Sequence, residues 1–81
     1  MILGSQIRMS RGYLRWSVKQ LAVSAGVAES TIKRMEAADG FPESRGSNIE
    51  AVHDALIEAG IELVPENGGG PGVRLRKVAS G

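Results

Sequence analysis

The side chains that could do chemistry in this sequence are mainly charged, and they are arranged in blocks. Residues 1–40 carry six Lys or Arg against three acids, residues 41–66 carry one Arg against six acids, and the remaining tail carries three more cations. The blocks therefore have net charges of +3, −5 and +3, within a chain whose total is +1. A basic face is what nucleic-acid binding requires, although solvated helix faces of differing sign fit these charges equally well.

The sequence carries no pattern typical of an enzyme or of a metal site. There is no Cys, and the single histidine, His53, stands among acids as a solvated side chain rather than as a ligand. The glycine-rich run 68–72 lacks the Lys-Ser/Thr of a phosphate-binding loop. No nucleophile stands beside a base, and 81 residues are too few to enclose a substrate pocket. We therefore expect a protein that is not an enzyme and has no cofactor or metal.

The length implies one small domain whose core comes from a few tightly patterned segments. A chain of this size buries only about 60% of the surface that it exposes when unfolded. Its apolar runs are far shorter than the ~20 residues that span a bilayer, and its N-terminus lacks a secretory signal. We expect a soluble, cytoplasmic protein that does not contact a membrane.

Apolar residues at helical spacing predict four helices. The first covers 5–14, and the second covers 18–25 with Ser17 as its N-cap and Gly26 as its end. The third covers about 28–38.

The fourth predicted helix covers 49–59, after a loop over 39–47 and with Ser47 or Asn48 as its cap. Beyond Gly60 the apolar period changes from 3.6 to 2, which is typical of strands.

The last segment is predicted to be a β-hairpin over residues 61–78 with a long glycine-rich tip. Its two runs alternate apolar and charged residues, and the apolar members are Ile61, Leu63, Val73 and Leu75. The final few residues are expected to be frayed. The predicted fold is thus mainly α, with a helical domain over 1–60 followed by the hairpin.

A steep helix crossing is predicted between the second and third helices. Two helices can cross steeply over a short turn only with a small residue at the crossing, a glycine in the turn and apolar packing from the second helix. Ala22 supplies the small residue and Gly26 the turn. The packing residues are Val27, Ile32 and Met35. This is the geometry of a helix-turn-helix.

From about Gln6 to Glu58 the sequence resembles the lambda-repressor-like, or xenobiotic-response-element type, helix-turn-helix regulators of bacteria and phages. The stretch that carries the resemblance is RGYLRWSVKQLAVSAGVAESTIKRMEAADG, and the tail IELVPENGGGPGVRLRK looks like that of a small bacterial subgroup. The resemblance implies a four-helix bundle in which helix 18–25 lies across the DNA backbone and helix 28–38 enters the major groove. It implies a transcriptional regulator whose partner is double-stranded DNA.

The resemblance also implies roles for individual residues. Arg11 and Glu36 match a family pair and are expected to form a structural ion pair. Base readout is expected from Glu29, Ser30, Lys33 and Arg34. Contacts to the DNA backbone are expected from Ser17, Lys19, Gln20 and Thr31.

Two positions depart from the family. Val18 stands where the family often has Gln, so the contact of that amide is missing. Ala28 stands where the family favours Ser and cannot cap a helix through its side chain, so Ser30 or Thr31 is expected to offset the weaker cap.

The start of the fourth helix is predicted to hold the DNA backbone, because free N–H groups at a helix N-terminus favour phosphate oxygens. The polar residues placed there are Ser44, Arg45, Ser47 and Asn48.

The hairpin is predicted to form a homodimer. An isolated hairpin is marginal in water, so its apolar face must pack on the fourth helix, pair with a second copy, or do both. A two-fold dimer would read two half-sites about one helical turn apart.

A second function remains open. Glu50, Asp54 and Glu58 form a solvated stripe or, alternatively, an acidic face that binds a protein partner. In the latter case the chain is an interaction adaptor or an antitoxin-like protein.

Overall fold

The computed structural model describes residues 2–76, which form four α-helices and one antiparallel hairpin. The helices are α1 (Gly4–Leu14), α2 (Val18–Ala25), α3 (Glu29–Glu36) and α4 (Gly46–Glu58), and the strands are β1 (Ile61–Val64) and β2 (Gly72–Leu75). The predictions of a mainly helical chain and of a C-terminal hairpin are confirmed. Positions 77 and 78 of the predicted hairpin, and the expected fraying of the last residues, lie outside the described residues.

Helix α2 has the boundaries that its sequence predicts, because both of its ends are encoded locally. Ser17 caps the first turn through its side chain. Gly26 adopts the left-handed conformation with φ of +72°, and its N–H donates to the Ala22 carbonyl oxygen over 2.8 Å. Glycine takes this conformation without the steric cost of a Cβ atom, which ends the helix within one turn.

Helix α3 is shorter than the predicted range of 28–38. Its N-cap is Ala28 in an extended conformation, and no side chain supplies a cap hydrogen bond. The expectation that Ser30 or Thr31 would offset the missing cap is therefore wrong. Both residues lie within the first turn of α3 and not at the N-cap position, from which a side chain accepts a hydrogen bond from the free N–H groups of that turn.

The far end of α3 is set by contacts with α1. Arg8 donates through Nη1 to the carbonyl oxygens of Glu36 and Ala38, and its Nη2 forms an ion pair with Asp39. A cation at a helix C-terminus satisfies carbonyl groups that have no partner within the helix. The helix consequently ends at Glu36, before the predicted stop at 39–40.

Helix α4 begins three residues earlier than predicted. The N–H groups of Asn48 and Ile49 both donate to the Arg45 carbonyl oxygen over 3.0 Å, so Arg45 is the N-cap. Ser47 and Asn48 lie inside the first turn and do not cap the helix, contrary to the prediction. Gly60, with φ of +102°, marks the predicted transition from α4 to β1.

One core joins all four helices to the hairpin. Its buried apolar residues are Ile2, Ile7, Leu21, Ala22, Ile32, Met35, Val52, Leu56 and Ile61. Of the residues predicted to pack at the crossing of α2 and α3, Ala22, Ile32 and Met35 belong to this core, and Val27 packs against it. Ile61 at the start of β1 is 1% exposed, so the hairpin packs within the protomer.

The hairpin is also tied to α1 by the buried side chain of Gln6. Its Nε2 donates to the carbonyl oxygens of Val64 and Gly72 over 3.2 and 3.1 Å, and its Oε1 accepts from the Leu3 N–H. Ile61 pairs opposite Leu75 and Leu63 opposite Val73, so the four apolar residues of the two predicted runs share one face of the hairpin. Within residues 2–76 no helix is long and apolar enough to cross a membrane.

Candidate nucleic-acid interface

Helix α2 begins with two reciprocal hydrogen bonds. The Gln20 N–H donates to Ser17 Oγ over 3.0 Å, and the Ser17 N–H donates to Gln20 Oε1 over 2.7 Å. This capping box satisfies two backbone donors at the helix start. Both side chains are exposed, but these oxygen atoms serve the helix rather than a ligand. The Ser-x-x-Gln spacing is the sequence signal that could have indicated this role.

Helix α3 has one buried and one exposed side. Ile32 and Met35 are fully buried and fix the rotation of the helix. The residues expected to read bases are all exposed, namely Glu29, Ser30, Lys33 and Arg34. Residues four apart lie on the same side of a helix, so these side chains form two adjacent rows. Thr31 is partly buried beside them.

A bidentate ion pair joins α1 to the end of α3. Arg11 donates from Nε to Glu36 Oε2 over 2.7 Å and from Nη2 to Oε1 over 2.9 Å. Its Nη1 donates to the Trp16 carbonyl oxygen over 3.0 Å. The hydrogen bond to Glu36, helped by the charge of Glu36 and opposed by burial, raises the pKa of Arg11 above its ordinary value. All three guanidinium nitrogens of Arg11 are thus occupied inside the fold, and its ion pair with Glu36 is the one that the resemblance implied.

The remaining cations of the first half are differently placed. Whereas Arg8 and Arg11 are bound to α3 or to the residues after it, the others are exposed and have no ion pair or side-chain hydrogen bond within residues 2–76. These unpaired cations are Arg15, Lys19, Lys33 and Arg34. The positive charge available to a ligand therefore lies on α2, on α3 and on the connector before α2.

The start of α4 leaves its polar groups uncommitted. Arg45 and Ser47 are exposed, Ser44 and Asn48 are partly exposed, and none of their side chains caps the helix. In the described part of the chain, the N–H groups of Gly46 and Ser47 have no partner. Free N–H groups beside a guanidinium, hydroxyls and an amide can accommodate a phosphate oxygen.

The expected dimerisation residues of the hairpin fall into two groups. Ile61 is buried, and Leu63 and Val73 are partly buried against the core. Leu75 is 44% exposed and lies outside the core. Of these four hairpin residues, only Leu75 therefore presents a substantial apolar surface that the described protomer leaves uncovered.

Two exposed residues elsewhere on the described chain were not singled out from the sequence. Phe41 is 70% exposed and borders a cavity of 490 Å³ with residues of the hairpin tip. A single aromatic in a loop has no periodicity that would have indicated its position. Arg15 has a left-handed backbone, and nothing in its residue type signals that conformation.

No protein-family model matches the chain, and neither does any curated protein. Within residues 2–76 no group of three or more His, Cys, Asp or Glu side chains could hold a metal ion. What the surface can bind has to be inferred from its exposed polar and cationic groups.

Proposed function

We propose that the four helices form a lambda-repressor-like helix-turn-helix bundle and that the protein is a sequence-specific DNA-binding transcriptional regulator of the cytoplasm. The observation that carries the proposal is the exposed side of α3. Buried Ile32 and Met35 direct Lys33 and the other three residues expected to read bases away from the core. An α-helix with its side chains is about 10–12 Å in diameter, which fits a major groove about 12 Å wide.

The exposed residues of α3 supply the chemistry of base readout. Glu29 can accept a hydrogen bond from a cytosine amino group, while phosphates repel it, so it contributes discrimination rather than affinity. Ser30 can donate to or accept from several bases. Arg34 and Lys33 can donate to guanine, and the longer fork of Arg34 can alternatively reach a phosphate.

Backbone contacts come from both sides of α3. Lys19 on α2 is exposed and unpaired, and Thr31 lies partly exposed at the start of α3. Arg45 and the free N–H groups at the start of α4 provide a second phosphate-binding region. Ser17 and Gln20 stabilise the start of α2 and support a contact there.

The first test of this function is a binding-site selection from random duplexes, performed with the full chain and with Glu29→Ala. We expect Glu29→Ala to relax specificity at one base position by about 1–3 kcal/mol with little loss of non-specific affinity. Lys19→Ala and Arg45→Ala should instead weaken all duplexes alike, each lowering the slope of log affinity against log salt by about 0.9. Wild-type binding that does not fall as salt is raised would refute DNA binding. An unchanged preferred sequence for Glu29→Ala would move base readout to Lys33 or Arg34.

We further propose that the protein acts as a homodimer through the hairpin. Leu75 is 44% exposed at one end of β2, and an exposed strand edge with an apolar residue is a template for pairing with another copy. The variant Leu75→Asp tests this without removing Ile61 from the core. Sedimentation should show a dimer for the wild type and a monomer for Leu75→Asp, whereas a wild-type monomer at high micromolar concentration would refute the dimer.

The acidic surface of α4 supports a second candidate function, that of a protein-binding adaptor or antitoxin-like protein. Glu50, Asp54 and Glu58 are all exposed along the helix. A cavity of 410 Å³ lined by Ile2, Ile49 and neighbouring residues lies at one end of this row. A basic peptide with an apolar anchor would complement both features. Retention of DNA binding in Glu50→Lys together with loss of a protein partner would favour this role in addition to regulation.

A further inference from the structure

We propose that Arg15 is a further phosphate-binding residue, placed at the junction of α1 and α2. The inference rests on the proposed function, since the phosphate belongs to the DNA that α2 and α3 are proposed to bind. Three features of the described chain carry it: the backbone conformation of Arg15, its lack of an intramolecular partner, and its position beside the start of α2.

The backbone of Arg15 has a conformation that favours glycine. Its φ and ψ are +57° and +38°, and it is the one non-glycine residue with positive φ among residues 2–76. The Cβ atom of an L-residue crowds the backbone in this region, and glycine is the common residue at this position after a helix. An arginine is therefore less favourable for the fold than a glycine would be.

Nothing in the described chain uses the arginine side chain. Arg15 is exposed, and its guanidinium has no hydrogen bond or ion pair within residues 2–76. Arg8 and Arg11 differ from Arg15, because their guanidinium groups are bound to α3 or to the residues after it. The first acid in the sequence is Glu29, so residues 1–28 contain no acid that could neutralise Arg15 locally. A cation kept at an unfavourable backbone position without an internal partner indicates an external anion.

The backbone on the C-terminal side of Arg15 is held firmly. The Trp16 N–H donates to the Arg11 carbonyl oxygen over 2.9 Å, and the Trp16 carbonyl oxygen accepts from Arg11 Nη1 over 3.0 Å. Ser17 is fixed next by its capping box with Gln20. The backbone at Arg15 is thus already fixed, so only its side chain has to be ordered when an anion binds.

Its distance from the start of α2 fits a phosphate contact. Only Trp16 separates Arg15 from the N-cap Ser17. Two steps of about 3.3–3.6 Å along the chain place the Cα atoms of Arg15 and Ser17 within about 7 Å of each other. Lys19 is exposed in the first turn of α2. Arg15 and Lys19 therefore flank the positive end of the helix, and both can reach phosphate oxygens of one DNA strand.

The experiment compares the full chain with Arg15→Gly, Arg15→Lys and Arg76→Ala. The affinity for a short mixed-sequence duplex is measured over a range of salt concentrations, and Tm is measured on the same samples. For Arg15→Gly we expect Tm to rise by about 4 °C, because the left-handed conformation no longer carries a Cβ. At the same time the salt slope should fall by about 0.9, with about tenfold weaker binding at low salt.

The other variants separate charge from backbone. Arg15→Lys keeps the cation and the Cβ, so it should retain the salt slope and the wild-type Tm. Arg76 is an exposed cation just after β2, outside the residues proposed to contact DNA. Arg76→Ala removes the same charge as Arg15→Gly and therefore measures the effect of net charge alone. We expect it to leave the slope unchanged.

Three outcomes of these measurements would contradict the assignment of Arg15. A salt slope for Arg15→Gly equal to that of the wild type would overturn the assignment of Arg15 while leaving the proposed function standing. A fall in Tm for Arg15→Gly would show a structural role and would also overturn it. Wild-type binding without salt dependence would refute the proposed function and, with it, this assignment.

Discussion

The cations of the first half of the chain divide into two groups with the same chemistry and opposite surroundings. Arg8 and Arg11 on α1 reach across to α3 and the residues after it, where they find carboxylates and carbonyl oxygens. Lys19 and Lys33, on α2 and α3, are exposed and unpaired within the described residues. The two groups differ in whether a partner lies within reach. Where an acid or a helix C-terminus lies close enough, the cation links two helices.

This division concentrates the charge of the surface. Each ion pair removes one cation and one acid, since Arg8 takes Asp39 and Arg11 takes Glu36. The net +3 of residues 1–40 is therefore carried entirely by four unpaired cations against Glu29. The sequence alone gives the same net charge but does not show where on the surface this charge lies.

At the contact between α1 and the α3 region, the largest effect on stability is expected from substitution of Gly4 and not of a charged residue. A Cβ atom at Gly4 would overlap the carbonyl oxygens of Ala38 and Met35, and the Gly4 N–H donates to the Gly40 carbonyl oxygen over 2.8 Å. This contact cannot relax easily, because main-chain atoms form both of its sides. Gly4→Ala should lower the free energy of unfolding by about 3 kcal/mol, measured by urea denaturation.

The matched control is Gly12→Ala on the same helix. A Cβ atom there would have open space within 4 Å, so the substitution should raise stability by up to about 1 kcal/mol through helix propensity. Equal effects at Gly4 and Gly12 would show that α1 is not packed against α3 as closely as described.

The ion pair of Arg11 is expected to have the next largest effect. Glu36→Gln keeps the shape of the side chain but leaves the partly buried guanidinium, whose side chain is 26% exposed, without its charge partner. We expect a loss of about 2 kcal/mol in urea denaturation, below the range for fully buried pairs because water still reaches Arg11. Glu29→Gln on the exposed side of α3 is the control and should change stability by less than about 0.5 kcal/mol. Equal changes in the free energy of unfolding for Glu36→Gln and Glu29→Gln would contradict a stabilising role of the Arg11 ion pair. They would also remove the difference between the two groups of cations.

The elements predicted well from the sequence are those whose ends are encoded locally. Ser17 and Gly26 delimit α2 with their own side-chain and backbone preferences. Alternation predicted that Leu63 and Val73 belong to the apolar face of the hairpin, whereas their direct pairing is known only from the structure. The ends of α3 and α4 were not predictable in this way. Arg8 ends α3 from 28 residues away in the sequence, and no capping residue signals the start of α4 at Arg45.

The same distinction applies to the candidate interface. Helical periodicity predicted that Ile32 and Met35 face inward, and the exposed positions of Lys33 and its neighbours follow from that. The role of Arg15 depends on a φ angle and on the lack of a partner, and both are set by the tertiary structure. A residue type that contradicts its backbone conformation cannot be recognised until that conformation is known.

The smallest effect on stability is expected at Lys33, and it is the one that most sharply separates the two groups. A cation in the last turn of α3 stabilises the helix by a few tenths of a kcal/mol through the helix dipole, and alanine restores a similar amount through its higher helix propensity. Lys33→Ala should therefore change the free energy of unfolding by less than about 0.5 kcal/mol while weakening duplex binding and its salt dependence. Urea denaturation and a salt titration on one preparation give both values. Because Lys33 has no partner in the described fold, a loss of more than about 1 kcal/mol in stability would place it with Arg11 instead. The exposed cations would then be part of the scaffold and not a surface kept free for DNA.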